Sequence, residues 1–285
     1  MYTEYQPSHL LVPYIDSYWE FKGNPDYGMR IHILPDGCTD FIFTLGEVAN
    51  AVEEGSLIMQ PYRSYFVGPM TKYSELVTYT ESIHMFGVRF LPCGLSCFTN
   101  LPLHEFVNSR VSTNEMKAVF DDTFIEKLGE QKHVTDRIRV VEEYLLAYLA
   151  RHYQPADSHV AMAVNMINHS KGKRSVRSLM DDVCLCQRHF ERKFKHYTGF
   201  TPKEYSRIVK FKNAVELLRT TTSANLLTTA VDAGYYDLAH FSKEIKSMSG
   251  NTPASFLSLT VPEETTLTYI CLLYTSPSPR DRSLS

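Results

Sequence analysis

The pattern Gly-x-Thr-Pro occurs twice in this chain, as Gly199-Phe200-Thr201-Pro202 and Gly250-Asn251-Thr252-Pro253, 51 residues apart. The residues ahead of each copy repeat at the same offset. Phe190, Phe194 and Tyr197 correspond to Phe241, Ile245 and Met248, and His189, Arg192 and Lys195 correspond to His240, Lys243 and Lys246. Apolar residues at i, i+4 and i+7 hold one side of a helix against a core and leave the other side facing out. The glycines suit left-handed helix C-caps, and each Thr-Pro supplies an N-cap and first residue for the next helix. Thr201 with Glu204 makes a capping box. The chain is thereby constrained to use one small helical unit twice.

The outward faces carry the functional information. In the first unit they show Gln187, Arg188, His189, Arg192 and Lys195; in the second, Asp237, Ala239, His240, Ser242, Lys243 and Lys246. Both faces suit a DNA groove, with Arg188, His189, His240 and Lys243 as base or groove contacts and Lys195 and Lys246 as phosphate contacts. A shorter helix is expected upstream of each, over 175–183 and 226–233, joined by Cys184-Leu185-Cys186 and Gly234-Tyr235-Tyr236-Asp237. Short helix, tight turn and basic helix make two helix-turn-helix units.

The run Thr229-Ala230-Val231-Asp232-Ala233-Gly234-Tyr235, with His240-Phe241-Ser242-Lys243 and Gly250-Asn251-Thr252-Pro253, resembles the signature of AraC-type (AraC/XylS) transcriptional regulators over about 158–259. The resemblance implies a seven-helix domain whose two recognition helices enter successive major-groove turns on one face of DNA. It also implies a long helix between the units, which 202–218 fits with Ile208, Phe211, Val215 and Leu218 as its buried stripe. The first unit departs from the pattern at Met180, Cys184 and Cys186, where a small residue, glycine and serine are usual. Cys184 replaces a residue that commonly takes positive φ, at a cost of about 1 kcal/mol.

Charge divides the chain in the same way. Residues 158–260 hold 15 Lys and Arg against 8 Asp and Glu, whereas 1–157 hold 12 against 21, so the overall net charge of −3 conceals a basic domain. Phosphate contact supplies the sequence-independent part of DNA affinity, and an acidic remainder keeps the rest of the chain off the duplex. A charge run alone would be a solvated face; its coincidence with the repeated helix faces gives it meaning.

At 285 residues and 44% hydrophobic content the chain has material for two cores. Neither a basic-then-apolar leader nor an apolar stretch of spanning length is found, so a cytoplasmic protein is expected. Six cysteines, Cys38, Cys93, Cys97, Cys184, Cys186 and Cys271, are too few for a disulfide framework at this length. Their first reading is as small buried hydrophobes, because neither Cys93-x-x-x-Cys97 nor Cys184-x-Cys186 has a second ligand pair at metal-site spacing.

The N-terminal half reads as mostly β, with strand-like runs at 30–34, 40–45, 64–67 and 84–90 broken by Gly and Pro. The segments Tyr18-Trp19-Glu20, Leu34-Pro35-Asp36-Gly37-Cys38-Thr39-Asp40, Phe66-Val67-Gly68-Pro69 and Phe86-Gly87-Val88-Arg89-Phe90-Leu91-Pro92 resemble a cupin-like N-terminal domain of one subgroup of these regulators, over about 1–110. Pro35-Asp36-Gly37 is first a turn, Pro fixing φ and Gly allowing φ > 0. A barrel-like domain beside a DNA reader suggests a sensor with a small effector in its interior. His32, Asp36, His84 and Arg89 are the candidate effector residues. A guanidinium in an otherwise apolar strand must pair with a carboxylate, with Asp36 or Asp40 the candidates, or receive an anion. His32 and His84 lack the clustered His-x-His with a nearby Glu that metal cupins show, so neither a metal nor another cofactor is expected.

Between the halves, helices are expected over 116–127 and 134–153, the second with Ile138, Val141, Leu145 and Leu149 at helical spacing. That stripe is read as a homodimer seam in preference to an internal packing face. Residues 153–158 read as a linker with Asp157 or Ser158 able to cap the next helix, which puts the boundary near 155. Residues 271–281 resemble an in-frame translation of a sequencing-library adapter, and no function is assigned after about 261. The expected fold class is α+β: a cupin-like sensor at 1–110, a helical dimerisation or linker region at 111–155, a double helix-turn-helix reader at 156–260, and a tail at 261–285. The expected function is sequence-specific, DNA-binding transcriptional regulation without catalytic residues, with double-stranded DNA, a small effector, a second copy of the chain and RNA polymerase as partners. The alternatives are a cupin-type metalloenzyme or cysteine-dependent alkyl-transfer protein fused to a DNA-binding domain, and an N-terminal half that serves only for dimerisation.

Overall fold

The computed structural model describes residues 2–26, 29–51, 55–116, 119–120, 122–152, 154–183, 185–220 and 226–257. The turn residue Cys184, the linker residue Tyr153 and the 261–285 tail lie outside them. The N-terminal half is built on two antiparallel sheets. One has six strands in the order β1 (Tyr2–Tyr5), β2 (Ile15–Gly23), β8 (Ile83–Phe90), β4 (Thr39–Thr44), β6 (Ser64–Val67) and β9 (Arg110–Ser112). The other has three, β3 (Met29–Ile33), β7 (Ser74–Thr78) and β5 (Asn50–Ala51).

The larger sheet is buried on both faces, which is why its strands read as apolar runs with little polar alternation. Along β4, Phe41 and Phe43 point to one core with Phe66, Phe86, Val88 and Phe90, while Ile42 points to another with Trp19, Phe21, Ile31 and Leu76 from both sheets. Successive strand residues face opposite sides, so adjacent residues serve different cores. Gly87 sits opposite Trp19 in the β2–β8 register, and a side chain there would run into the indole ring.

The helical region after the two sheets corrects two expectations. The helix expected from 116 begins only at Asp122, as α1 (Asp122–Gly129), preceded by a 3-10 turn at Thr113–Glu115. The seam helix forms as α2 (Val134–His152), but Val141 and Leu145 are fully buried inside their own chain, packed with Phe120, Phe124 and Leu128 against the larger sheet. Ile138 and Leu149 pack at the margin of that core. A buried guanidinium fixes the choice: Arg137 ion-pairs with Glu20 of β2 at 3.0 Å and donates to the carbonyls of Leu128 and Gln131. The sheet offers α2 an aromatic surface that the spacing of its own residues cannot reveal.

The C-terminal half is α3 (Ser158–His169), α4 (Val176–Val183), α5 (Gln187–Thr198), α6 (Pro202–Thr220), α7 (Leu226–Asp232), α8 (Leu238–Ser249) and α9 (Pro253–Leu257). Asp157 caps α3, accepting from the backbone N–H groups of His159 and Val160 and from Lys193 Nζ at 2.6 Å. Ile208, Phe211, Val215 and Leu218 of α6 are buried together with Phe190, Phe194, Phe241 and Ile245. The long helix therefore carries the shared core of both units.

Candidate nucleic-acid interface

Local chemistry positions the two recognition helices, α5 and α8. Gly199 (φ +82°) and Gly250 (φ +74°) end them in left-handed caps, with the cap N–H groups donating to the carbonyls of Lys195 and Lys246. The capping box closes as expected, Thr201 N–H donating to Glu204 Oε2 at 2.8 Å and Glu204 N–H to Thr201 Oγ1 at 3.2 Å. Phe190 and Phe194, and likewise Phe241 and Ile245, have no exposed surface. What remains outside is the polar face: Gln187, Arg188, Arg192, Lys195, Ala239, His240, Lys243 and Lys246 are exposed, and His189 and Ser242 are half-buried.

Three details alter the roles read from sequence. Asp237 uses its carboxylate as the N-cap of α8, accepting from His240 N–H at 2.7 Å, which accounts for an acid at the start of an otherwise basic face. Cys186 is exposed at the N-cap of α5 and makes no side-chain cap bond, so it is not one of the buried hydrophobes, unlike Cys38, Cys93 and Cys97. Tyr236, 91% exposed just ahead of α8, was not among the candidate contacts. Its signal in the sequence was an aromatic next to a capping Asp at the start of a recognition helix.

The N-terminal half seats both units. A Cβ on Gly199 would lie 3.2 Å from the carbonyl oxygen of Leu103 and closer still to the Pro69 ring; one on Gly250 would come within 2.7 Å of the Tyr73 ring. Both Gly-x-Thr-Pro turns thus rest on the segment from Pro69 to Tyr73. A third contact is made by Gly37 (φ +88°), where a Cβ would approach Tyr205 of α6 to 2.7 Å, and Lys212 donates to the Asp36 carbonyl at 3.3 Å.

Between the two sheets lies a small pocket, about 50 Å³ of open space, with Trp19, Phe21, Ile31, Ile42 and Leu76 among its walls and Asp36, Asp40, Arg89 and Arg110 at its polar end. The Arg89 side chain is 6% exposed and meets Glu4 at 3.1 Å, Asp40 at 3.3 Å and Asp36 at 3.5 Å. Trp19 Nε1 donates to Asp40 at 2.7 Å and the Tyr2 hydroxyl to Glu4 at 2.6 Å. Burial pushes the Glu4 and Asp40 carboxyls up, with the Arg89 guanidinium opposing it. Of the four candidate effector residues the structure brings Asp36 and Arg89 to this pocket. His84 instead pairs with Glu20 at 2.9 Å and His32 stacks on Tyr73, outside the pocket lining. Each sits where strand pairing aims it, which a single-sequence reading cannot specify.

Comparison with known proteins bears on both halves. Residues 179–258 match the family model described as a helix-turn-helix domain. Residues 179–258 are an AraC-type helix-turn-helix domain. Residues 3–112 match a model described as a domain of unknown function (DUF6597). Among solved structures the chain is similar to ToxT from Vibrio cholerae, at 9% identity over 85% of this chain and 98% of that one, with a TM-score of 0.50. That is a likeness of fold, and it spans the β-rich half as well as the AraC-type domain. A probable AraC family transcriptional regulator from Rhodopseudomonas palustris is similar at 20% identity over 37% of this chain and all of that one, with a TM-score of 0.34. No curated protein matches the chain in sequence. With an AraC-type domain joined to a β-rich half, the chain is a DNA-binding transcription regulator. Among the described residues no helix is long and apolar enough to cross a membrane.

Proposed function

We propose that α5 and α8 read two neighbouring major-groove segments of one duplex, with Arg188, His189, His240 and Lys243 reaching bases or groove walls and Lys195 and Lys246 meeting phosphates. The observation that carries this reading is the exposure of two matching basic helix faces whose C-caps rest on one segment, Pro69 to Tyr73. We propose further that a small, largely apolar effector occupies the pocket between the sheets. Asp36 and Cys38 line that pocket and also the cleft against Tyr205 and Lys212 of the reader domain, and Gly68 and Met70 lead into the segment under both turns. An occupant displacing these loops acts directly on how the reader is held, which supports a sensor over a scaffold used only for dimerisation. The division we propose is a sensor at 1–155, its helices included, and a reader from 156. A homodimer would use a face other than the α2 stripe.

The domain match favours regulation over the metalloenzyme and alkyl-transfer readings. The experiment is selection of the full chain on random duplexes at several salt concentrations. Two short motifs about one helical turn apart, with affinity falling steeply as salt rises, are expected. A folded protein that enriches no motif overturns the reading. Arg188→Ala should then cost about 1–3 kcal/mol and relax one base position; an equal loss on every sequence removes Arg188 from base reading.

A further inference from the structure

A second charged feature lies beside the recognition faces. An open cleft of about 670 Å³ separates the loop entering the first unit, at Gly172 to Val176, from Tyr235 in the turn of the second unit and His240 of α8, with α6 as its floor. Lys173, Lys203, Arg207, Lys210 and His240 line it, with Glu244 as its one acid. That acid is already committed, because Arg207 Nε and Nη2 each donate to it at 2.9 Å. Arg174 is likewise turned to Asp182 and Ser178 of α4. Neither Lys173 nor Lys203 forms an ion pair among the described residues, and Lys210 only donates to the Gly234 carbonyl at 3.2 Å and lies 5.5 Å from the Tyr235 ring centre.

The backbone is shaped to hold these cations together. Lys171 (φ +52°) and Gly172 (φ +72°) are consecutive left-handed residues, a conformation L side chains rarely adopt. A Cβ on Gly172 would collide with the α6 backbone, and one on Gly234 would lie 3.0 Å from Lys173 Cγ. The loop is therefore packed tightly onto α6, with the Lys173 stem resting on the turn of the second unit and its charge beside that of Lys210. Burial and the nearby Lys173 charge both press the Lys210 ammonium down, with Glu244 opposing them. Four cations and a histidine gathered around one acid that is already bonded to Arg207 leave a net positive cleft, and such an excess is relieved by an anion.

We infer that this cleft is a binding site for the phosphodiester backbone of the duplex, gripped by Lys173 and Lys210 with Lys203 beside them, where the strand passes between the two major-groove segments. The inference rests on the DNA-reading assignment. The cleft joins the lead-in of one unit to the turn of the other, and His240 stands both on the α8 face and on the cleft wall. A duplex engaged by α8 brings its backbone over it. Lys173 and Lys210 then serve as positioning contacts that fix the spacing of the readers and carry no base preference.

The test uses the full chain, the enriched duplex from selection, and Lys173→Ala and Lys210→Met beside Lys132→Ala as an exposed control in the N-terminal half. Each cleft variant should make the plot of log affinity against log salt shallower by about one unit, weaken binding to all sequences alike at low salt, and leave the enriched motif unchanged. Lys132→Ala should do none of these. Unchanged slopes in both cleft variants, in protein that still binds the motif, overturn the site. Loss of only the half-motif read by α8, without a change in slope, would make Lys210 a prop for the Gly234 turn and also overturn it. Inorganic phosphate at matched ionic strength that weakens the parent but not Lys173→Ala would assign the cleft to a free anion and remove the duplex as its occupant. A parent protein without salt-dependent motif binding would instead sink the DNA-reading assignment.

Discussion

Replacing Arg89 by Met tests the electrostatics of the N-terminal half. Arg89 holds three carboxylates, Glu4, Asp36 and Asp40, within 3.1 to 3.5 Å. Methionine keeps much of the stem volume and removes the charge, leaving those acids buried without their shared cation. Breaking a buried ion pair from one side costs about 3–5 kcal/mol, a large part of the roughly 5–15 kcal/mol by which folded proteins are stable. In the parent, burial already lifts Glu4 and Asp40 with Arg89 opposing it, so its loss lifts both further. A folded pKa above the unfolded one means the native state holds more protons across the window between them. Stability then falls as pH rises through that window and is regained as pH drops toward about 4, the ordinary carboxylate range. Trp19, the only tryptophan in the chain, bonds to Asp40 beside this cluster, so its fluorescence reports unfolding where the change is made. The urea midpoint of Arg89→Met should drop by on the order of 2 M near neutral pH, for a slope of about 2 kcal/mol per M, and by less in mild acid. A deficit under about 1 kcal/mol, as exposed pairs give, or one that grows as pH falls, would refute the reasoning.

Three further outcomes follow from the reader domain. Asp237→Ala removes the N-cap of α8 and should cost about 0.5–2 kcal/mol in thermal unfolding while tightening non-specific DNA binding at low salt; loss of preference at one base instead would make Asp237 a base reader. Gly250→Ala should cost more than the roughly 1–2 kcal/mol of a left-handed alanine, because the Tyr73 ring stands in the way, and adding Tyr73→Ala should return part of it; strictly additive losses would mean that the turn does not rest on Tyr73. Ile245→Ala, at a fully buried site, should destabilise by about 2–5 kcal/mol in denaturant unfolding, and a loss under 1 kcal/mol would mean that α8 is not anchored through its apolar stripe.

What the sequence determined by itself is whatever is decided within a few residues along the chain. The repeated turn, its left-handed glycines, the Thr201–Glu204 box and the stripes of α5, α6 and α8 all follow from 3.6-residue periodicity and capping chemistry, and the basic outward faces follow from the same arithmetic. The strands could be located, but not what each of their faces would meet. That Glu4, 85 residues away, would join Asp36 and Asp40 at Arg89 required the β1–β2–β8–β4 order. That His32 and His84 leave the pocket, that Val141 and Leu145 turn inward onto a phenylalanine-lined sheet, and that Lys173 comes to lie beside Lys210 are likewise tertiary outcomes. Each depends on a surface assembled from distant segments, and side-chain periodicity says which face is apolar without saying what will cover it. Seating the C-terminal ends of α5 and α8 on the segment from Pro69 to Tyr73 is the furthest-reaching of these outcomes, because it joins a pocket in one half of the chain to the ends of two helices in the other.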